Sequence, residues 1–444
     1  MNSPLDKTGS PPGPEQPIDF NIDDDTFNTI PALFAEYGDI VKVASNVRKS
    51  DTYLLNRVED IKRVLVNNNR NYDKGYGFER VKILLGNSII ASNGAFWRSQ
   101  RLMVQPAFHK SVLERLTGLM HEVNVTLLDD WLLKAKTGES IDITTVTNRL
   151  ALEVVLRGIF SDDYDWVMAR CDLMALLADN AVRDLQLAVK FRELRKILQS
   201  LVDTRRANIE STASETGDRY DLLAMLMQAR DRDGQPMQDR HLIDEVVTLI
   251  VAGNETTAST MNWTWYLLSQ YPEAEQRVIA EADALTSDAP GFADLPALKY
   301  TKQVINEALR LYPPGWLFSR KAIAEDQLSG FTIPAGADIL ISPYYLHRNE
   351  RYWENPDQFD PDRFSETRFT DAQKFAFLPF SAGPRRCIGD QFAMVEMQIH
   401  FAYMLRRIKL RYIPEQPIQL EPAINLRTLH NLRMAVEVRD NSDS

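Results

Sequence analysis

The residues best suited to chemistry lie near the end of the chain, in the run Phe380-Ser381-Ala382-Gly383-Pro384-Arg385-Arg386-Cys387-Ile388-Gly389. The chain has only two cysteines, and the other, Cys171, lies far upstream. That count excludes a four-sulfur metal site and makes a disulfide a poor reading. What remains for Cys387 is a lone thiolate ligand or a catalytic thiol. Gly383 and Pro384 favour a tight turn. Gly389 lets another group approach the backbone closely. The segment Gln391–Leu405 favours helix, which places the sulfur at a helix N-terminus, where free N–H groups stabilise a thiolate.

Three further constellations stand out. Ala252-Gly253-Asn254-Glu255-Thr256-Thr257 follows the largely apolar run Val246–Val251 inside a long helical stretch. A mid-helix glycine costs about 1 kcal/mol relative to alanine, and threonine hydroxyls can bond back to upstream carbonyls. Such a local breach of helix rules marks either function or a close helix–helix contact through small residues. Glu307 and Arg310 stand three apart and share a helix face. Trp97 and Arg101 stand four apart and do the same. The six histidines show no metal-ligand spacing; His109, His121 and His400 read as structural, and Cys171 as a small hydrophobe.

The cysteine run resembles the haem-binding signature of the cytochrome P450 family, Phe-x-x-Gly-x-Arg-x-Cys-x-Gly, at Phe380, Gly383, Arg385, Cys387 and Gly389. The resemblance spans nearly the whole chain. It implies haem b with Cys387 as the iron ligand, and Trp97, Arg101, Arg320 and Arg385 at the haem propionates, where arginine can fork two carboxylate oxygens. Ala252–Thr257 resembles the family's oxygen-binding helix. There Gly253 would leave room for dioxygen, Thr256 would hydrogen-bond it, and Glu255 would help relay protons. Glu307-x-x-Arg310, with Arg363 of Pro361-Asp362-Arg363-Phe364, resembles the family's buried structural network behind the haem.

These groups need elements to hold them. Thr26–Tyr37 reads as a helix, and Asp39–Ser45 with Thr52–Leu55 as paired strands. Helical periodicity dominates from about Arg57 to Tyr312. Arg230–Gln235 reads as a loop, and the long helix runs from about Asp239 to Tyr271, stopped by Pro272. Gly330–Pro334 and Asp338–Ser342 read as short strands, and helix returns at Gln391–Arg407. The fold class is therefore mainly α with a small β-rich edge. The resemblance implies the P450 fold, a triangular helical prism around a buried haem, as a single domain over 18–444. Residues 1–17, with four prolines from Pro11 to Pro17, are expected to be disordered.

Composition is that of a globular protein, 44% hydrophobic and 25% charged. A net charge of −11 argues against a general nucleic-acid binder. No signal peptide or transmembrane run is visible, and two cysteines suit a reducing compartment. A cytoplasmic monomer without a membrane anchor is expected. The short stretch after Cys387 has no room for a flavin or iron–sulfur domain. NAD(P)H-derived electrons would then come from a separate ferredoxin or flavodoxin with its reductase, docking near Arg386, Arg98 and Lys110.

The resemblance implies a monooxygenase that uses O2 to hydroxylate or epoxidise an apolar small molecule: a fatty acid, terpenoid, steroid or polyketide-like compound. The alternative is a peroxygenase, dehydratase or isomerase of the same fold that needs no reductase. The intact Glu255–Thr256 pair favours the first, and the absence of any output domain argues against a haem-based sensor. By the same resemblance the substrate would be lined by Tyr72–Ile90, the Leu177–Leu187 connection, Val247–Thr257, Gly315–Phe318 and the turn at Thr428–His430. Trp316, Leu317, Phe318 and Leu429 would make that lining apolar.

Overall fold

A computed structural model describes residues 9–171, 173–174, 184–211 and 221–439. They fall into two compact units interleaved along the chain. One comprises the residues up to Phe78, Gln303–Cys387 and Gln416–His430; the other comprises Glu79–Lys302, Ile388–Glu415 and the residues from Asn431 onward.

The first unit carries a five-stranded sheet in the spatial order Ile40–Val43, Thr52–Leu55, Asp338–Ile341, Phe318–Ala322, Tyr72–Lys74. Only the Thr52–Leu55 and Asp338–Ile341 pair is parallel. Both of these strands are buried along their whole length. Their alternate residues therefore serve two cores. Tyr53, Leu55, Ile339 and Ile341 face one built with Trp353, Phe364 and Leu378, and Leu54 and Leu340 face another with Phe20, Ile30 and Trp316. The Asp24–Tyr37 helix starts on Asp23, whose side chain accepts from the Thr26 N–H at 2.9 Å.

The second unit is helical. Its main helices are Lys110–Thr137, Ile143–Phe160, Asp184–Ser211, Asp239–Gln270 and Asp390–Leu405. The 32-residue Asp239–Gln270 helix packs along Ile143–Phe160. It buries Trp263 and Trp265 completely. A three-stranded antiparallel sheet of Ile141–Asp142, Arg433–Val438 and Ile408–Ile413 completes the unit. Among the described residues no helix is long and apolar enough to cross a membrane.

The long helix ends at Gln270, just before Pro272 as expected, and Pro272 opens the next helix, Pro272–Asp283, at the position where its missing N–H costs nothing. Two expectations need correction. Strands Tyr72–Lys74 and Phe318–Ala322 lie where no strand was expected, because they are short and strongly polar. The tail expected to be disordered over 1–17 is tied down from Pro12. The Pro12 carbonyl accepts from Lys42 N–H at 2.9 Å, and a Cβ on Gly13 would come within 1.8 Å of the Lys42 carbonyl oxygen. Residues 1–8 lie outside the described residues.

Candidate active site

In the first unit, the loop before Cys387 is built by its backbone. Ser381 (φ 58°) and Gly383 (φ 70°) both adopt left-handed conformations. Gly383, Pro384 and Arg385 form a single 3-10 turn, and Cys387 N–H donates back to the Phe380 carbonyl at 2.9 Å. Gly383 is required here: a Cβ would stand 1.9 Å from the carbonyl oxygen of Leu65, in the π-helical turn Arg63–Asn67. The resulting loop presents Cys387 as an exposed thiol. Phe380 sits half-buried at the loop's start.

Positive charge gathers beside that thiol. Lys74 and Arg320 are directly opposite in the antiparallel pairing of Tyr72–Lys74 with Phe318–Ala322. Like charges in that position repel. Arg320 is buried, and burial together with nearby Arg385 pushes its guanidinium down to about 9. Desolvation, then Arg320 and Arg385, hold the Lys74 ammonium well below its ordinary range, and Cys387 acts in the opposite direction. Lys74 as a whole residue is half-buried. Arg385 approaches Asp73 only to 3.9 Å. Three crowded cations around one thiol form a donor set for an anionic ligand that also carries a thiophilic metal. Haem, with two carboxylates and iron, fits that set. Lys74 was missed in the sequence, and no local pattern marks it; only the strand register brings it to Arg320.

Behind this loop, Glu307 and Arg310 are fully buried and joined by two parallel hydrogen bonds of 2.7 and 2.8 Å. Arg363 adds a third bond to Glu307 at 3.1 Å, as expected from the sequence, and Asp360 N–H a fourth at 2.9 Å. The structure adds His347, which the sequence reading passed over. Its Nδ1 faces the Arg310 carbonyl at 3.1 Å, and its Nε2 accepts from Leu378 N–H at 2.8 Å. Burial and the Arg310 charge push His347 down to about 3, so it is neutral with the proton on Nδ1. Its ring joins the Arg310 end of this network to the segment that leads into the cysteine loop. Trp316, expected to line the substrate, is instead a core residue. It is 1% exposed, stacks edge-on against Phe27 at 5.3 Å, and donates from Nε1 to the Ala423 carbonyl.

In the second unit, Thr256 Oγ1 donates to the Ala252 carbonyl at 2.8 Å, one turn back along the long helix. Its hydroxyl proton is thereby engaged and its lone pairs are left to accept. Ala252 is exposed, and Thr256 and Glu255 are half-buried. Gly253 behaves differently from the expectation. A Cβ there would meet Val155 at 2.9 Å, so the room made by this glycine is taken by a side chain of the Ile143–Phe160 helix. Its structural role is the close helix contact, and any opening toward a small ligand falls to Ala252. Trp97 is buried and Arg101 half-buried on the Gly94–Val104 helix, one turn apart. Gly389 is the residue before the Asp390–Leu405 helix; a Cβ there would make only ordinary contact with Phe108 at 3.8 Å.

Of the remaining histidines, His400 accepts from Trp265 Nε1 at 2.9 Å and faces Asn124 Oδ1 at 2.6 Å, a structural role as expected. His121 packs edge-on against Tyr403, and His109 lies at the start of the Lys110–Thr137 helix. Cys171 is half-buried. Of the connection Leu177–Leu187, residues 177–183 lie outside the described residues.

The sequence of this chain matches the family description Cytochrome P450 over residues 18–432. It is 37% identical over 425 residues to cyclooctatin synthase of Streptomyces melanosporofaciens, covering 92% of this chain and 90% of that protein. It is 34% identical to cyclooctat-9-en-7-ol 5-monooxygenase of the same organism, covering 86% and 85%. To pentalenene oxygenase of Streptomyces avermitilis it is 32% identical, covering 88% and 89%. With a lone thiol among cations, a buried Glu307–Arg310–Arg363 network and a match along almost its whole length, the chain belongs to the cytochrome P450 family of haem-thiolate monooxygenases.

Proposed function

We propose that this P450 inserts one oxygen atom from O2 into a terpenoid hydrocarbon or terpenoid alcohol, with Cys387 as the axial ligand of haem b. The observation that carries the haem assignment is the crowding of Lys74, Arg320 and Arg385 around the single exposed thiol. Arg320, Arg385 and Lys74 would meet the haem carboxylates. Phe380, Gly383 and Gly389 shape the loop that aims the sulfur. When bound, thiolate-ligated haem supplies O2 binding and the electron density that favours O–O cleavage.

The chain's own residues contribute protons and orientation. Thr256 Oγ1, oriented by its bond to the Ala252 carbonyl, accepts a hydrogen bond or passes a proton. Glu255 resupplies it from solvent. The terpenoid class is supported by three relatives whose names carry cyclooctatin, cyclooctat-9-en-7-ol and pentalenene. The chain would act as a cytoplasmic monomer, drawing NAD(P)H-derived electrons through a reductase and a ferredoxin or flavodoxin.

Two measurements test this. The reduced protein with carbon monoxide should show the long-wavelength Soret band of thiolate ligation, and Cys387→Ala should abolish it while Cys171→Ser keeps it. The reverse pattern would refute the ligand assignment. A screen for substrate-induced spin shift across cyclic diterpenes, sesquiterpenes and fatty acids should give its tightest responses among the terpenes. Tight responses confined to fatty acids would refute the substrate class.

A further inference from the structure

Near its start the long helix Asp239–Gln270 carries two adjacent buried acids, Asp244 and Glu245, that the oxygen chemistry does not use. Both are spent on one stretch of backbone. Asn87 N–H donates to Asp244 Oδ2 at 2.9 Å. Gly86, at φ 74°, lies so close that a Cβ would stand 2.0 Å from Asp244 Oδ1. Ile89 N–H reaches both oxygens of Glu245, at 2.9 and 3.2 Å. Arg195, on the Asp184–Ser211 helix, pairs with Asp244 and also donates to the Leu84 carbonyl at 3.2 Å. The chain then closes a turn, with Ala91 N–H and Ser92 N–H both donating to the Ser88 carbonyl at 3.1 and 2.9 Å. Ile89 and Ile90, both half-buried, form its corner.

Helix phase relates this turn to the reactive groups. At 100° per residue, Glu245, Ala252 and Thr256 fall within about 40° of one another, and Ala252 lies about 10 Å further along the axis. The turn therefore sits on the same face of the helix as Ala252 and Thr256. A fully buried acid is an expensive way to hold a single amide, since a neutral acceptor avoids the desolvation cost. Burial pushes Glu245 up to about 8, so it holds Ile89 as a neutral acid near pH 7. Chemistry that breaks the usual rules of core composition, on the face of the oxygen helix, is placed where function would need it.

We propose that Asp244 and Glu245 are positioning residues that fix the Gly86–Ile90 turn along this helix face, so that Ile89 and Ile90 form the end wall limiting how far an apolar substrate extends past Ala252. Arg195 ties the same point to the Asp184–Ser211 helix. The inference rests on the proposed P450 reading of Thr256 and concerns specificity alone.

The test uses holoenzyme and two probe series matched in length: geraniol, farnesol and geranylgeraniol, and saturated fatty acids of comparable chain length. Glu245→Leu removes the acceptor for Ile89 N–H. It should lower the preference of the spin shift for the best-fitting length over the next longer one by at least tenfold. Glu245→Gln keeps an acceptor and should retain the wild-type order. Imidazole affinity for the haem should stay within twofold in both, which separates loss of the wall from loss of the haem site. If Glu245→Leu fails to fold, Asp244→Leu removes the acceptor for Asn87 N–H and Arg195→Met removes the donor to the Leu84 carbonyl, and each should shift the length preference in the same direction. An unchanged length order in every foldable variant, or a shift as large in Glu245→Gln as in Glu245→Leu, overturns the proposal. Wild-type responses confined to fatty acids would instead overturn the terpenoid reading, and the length comparison would still be read on that series.

Discussion

Replacing Glu307 with alanine should cost far more than any surface ion pair. Glu307 is fully buried and accepts from Arg310 Nε and Nη2, Arg363 Nε and Asp360 N–H. Truncation leaves two buried guanidinium groups short of their anion, and breaking a buried pair in that way costs about 3–5 kcal/mol. The stranded Asp360 amide adds to the loss, because an unsatisfied buried donor costs ~1–3 kcal/mol and the terms overlap. A total near 5 kcal/mol would remove much of the ~5–15 kcal/mol typical of a folded domain. Arg310 and Arg363 keep their bonds to the carbonyls of His347, Pro356, Gln358 and Glu354, which sets a limit on the collapse. Glu307→Gln, which keeps the shape and loses the charge, should fall between. Urea unfolding followed by tryptophan fluorescence gives the stability, and the carbon monoxide spectrum gives the fraction carrying thiolate-ligated haem. The cycle with Arg363→Ala should show a coupling of about 1–3 kcal/mol. A Glu307→Ala protein within ~1 kcal/mol of wild type, against the 3–5 kcal/mol expected for a broken buried pair, would refute the reasoning.

Thr256→Ala should keep haem content and substrate affinity while raising peroxide released per NADPH consumed, because a positioned hydroxyl is lost; unchanged coupling would move the role to Thr257 or to solvent. Lys74→Met should weaken haem retention against an apomyoglobin acceptor by several-fold without altering the carbon monoxide band, and retention equal to wild type would remove Lys74 from the carboxylate site. Arg98 and Lys110 are exposed, Lys110 resting 5.3 Å from the centre of the Phe292 ring. With an acidic ferredoxin, turnover should slow as salt rises, and Arg98→Glu or Lys110→Glu should raise the apparent ferredoxin constant without changing substrate binding; salt-independent turnover would refute docking there. Glu245 is raised in the folded state, to about 8 from 4.5, so its contribution is fully present below pH 4.5 and is lost as pH rises toward 8. Relative to Glu245→Gln, the wild type should therefore lose stability between pH 4.5 and 8 by up to ~5 kcal/mol, and a flat difference in urea midpoints across that range would contradict the assignment.

What could be read from the sequence was what is local along the chain. The Gly383–Cys387 turn, the shared face of Glu307 and Arg310, and the 32-residue oxygen helix are all set by neighbours within a few positions. Groups assembled by long-range register were hidden. Lys74 gains its meaning only from pairing with Arg320, and His347 only from the Arg310 carbonyl and the Leu378 amide. The Asp244–Glu245 clamp closes on backbone far upstream, which no composition reveals. Apolar residues misled for a different reason. A tryptophan such as Trp316 satisfies a core or a binding surface equally well, and only packing decides between them. Gly253 was ambiguous in the same sense, because the space left by a missing side chain is filled from another helix.

The wedge of Gly383 against the Leu65 carbonyl is a meeting of main chain with main chain. It has no side-chain author on the Leu65 side. An alanine scan would trim Leu65 and report only lost apolar burial, leaving the carbonyl where it was. A deep mutational survey would record position 383 as intolerant and find no compensating substitution anywhere in the chain, since no exchange of side chains moves that oxygen. Relief could come only from a change of backbone path, such as a one-residue deletion in the π-helical turn Arg63–Asn67. Engineering of the sulfur's position in this protein is thus a problem of loop length and helix register. Libraries that vary residue identity alone would leave it untouched.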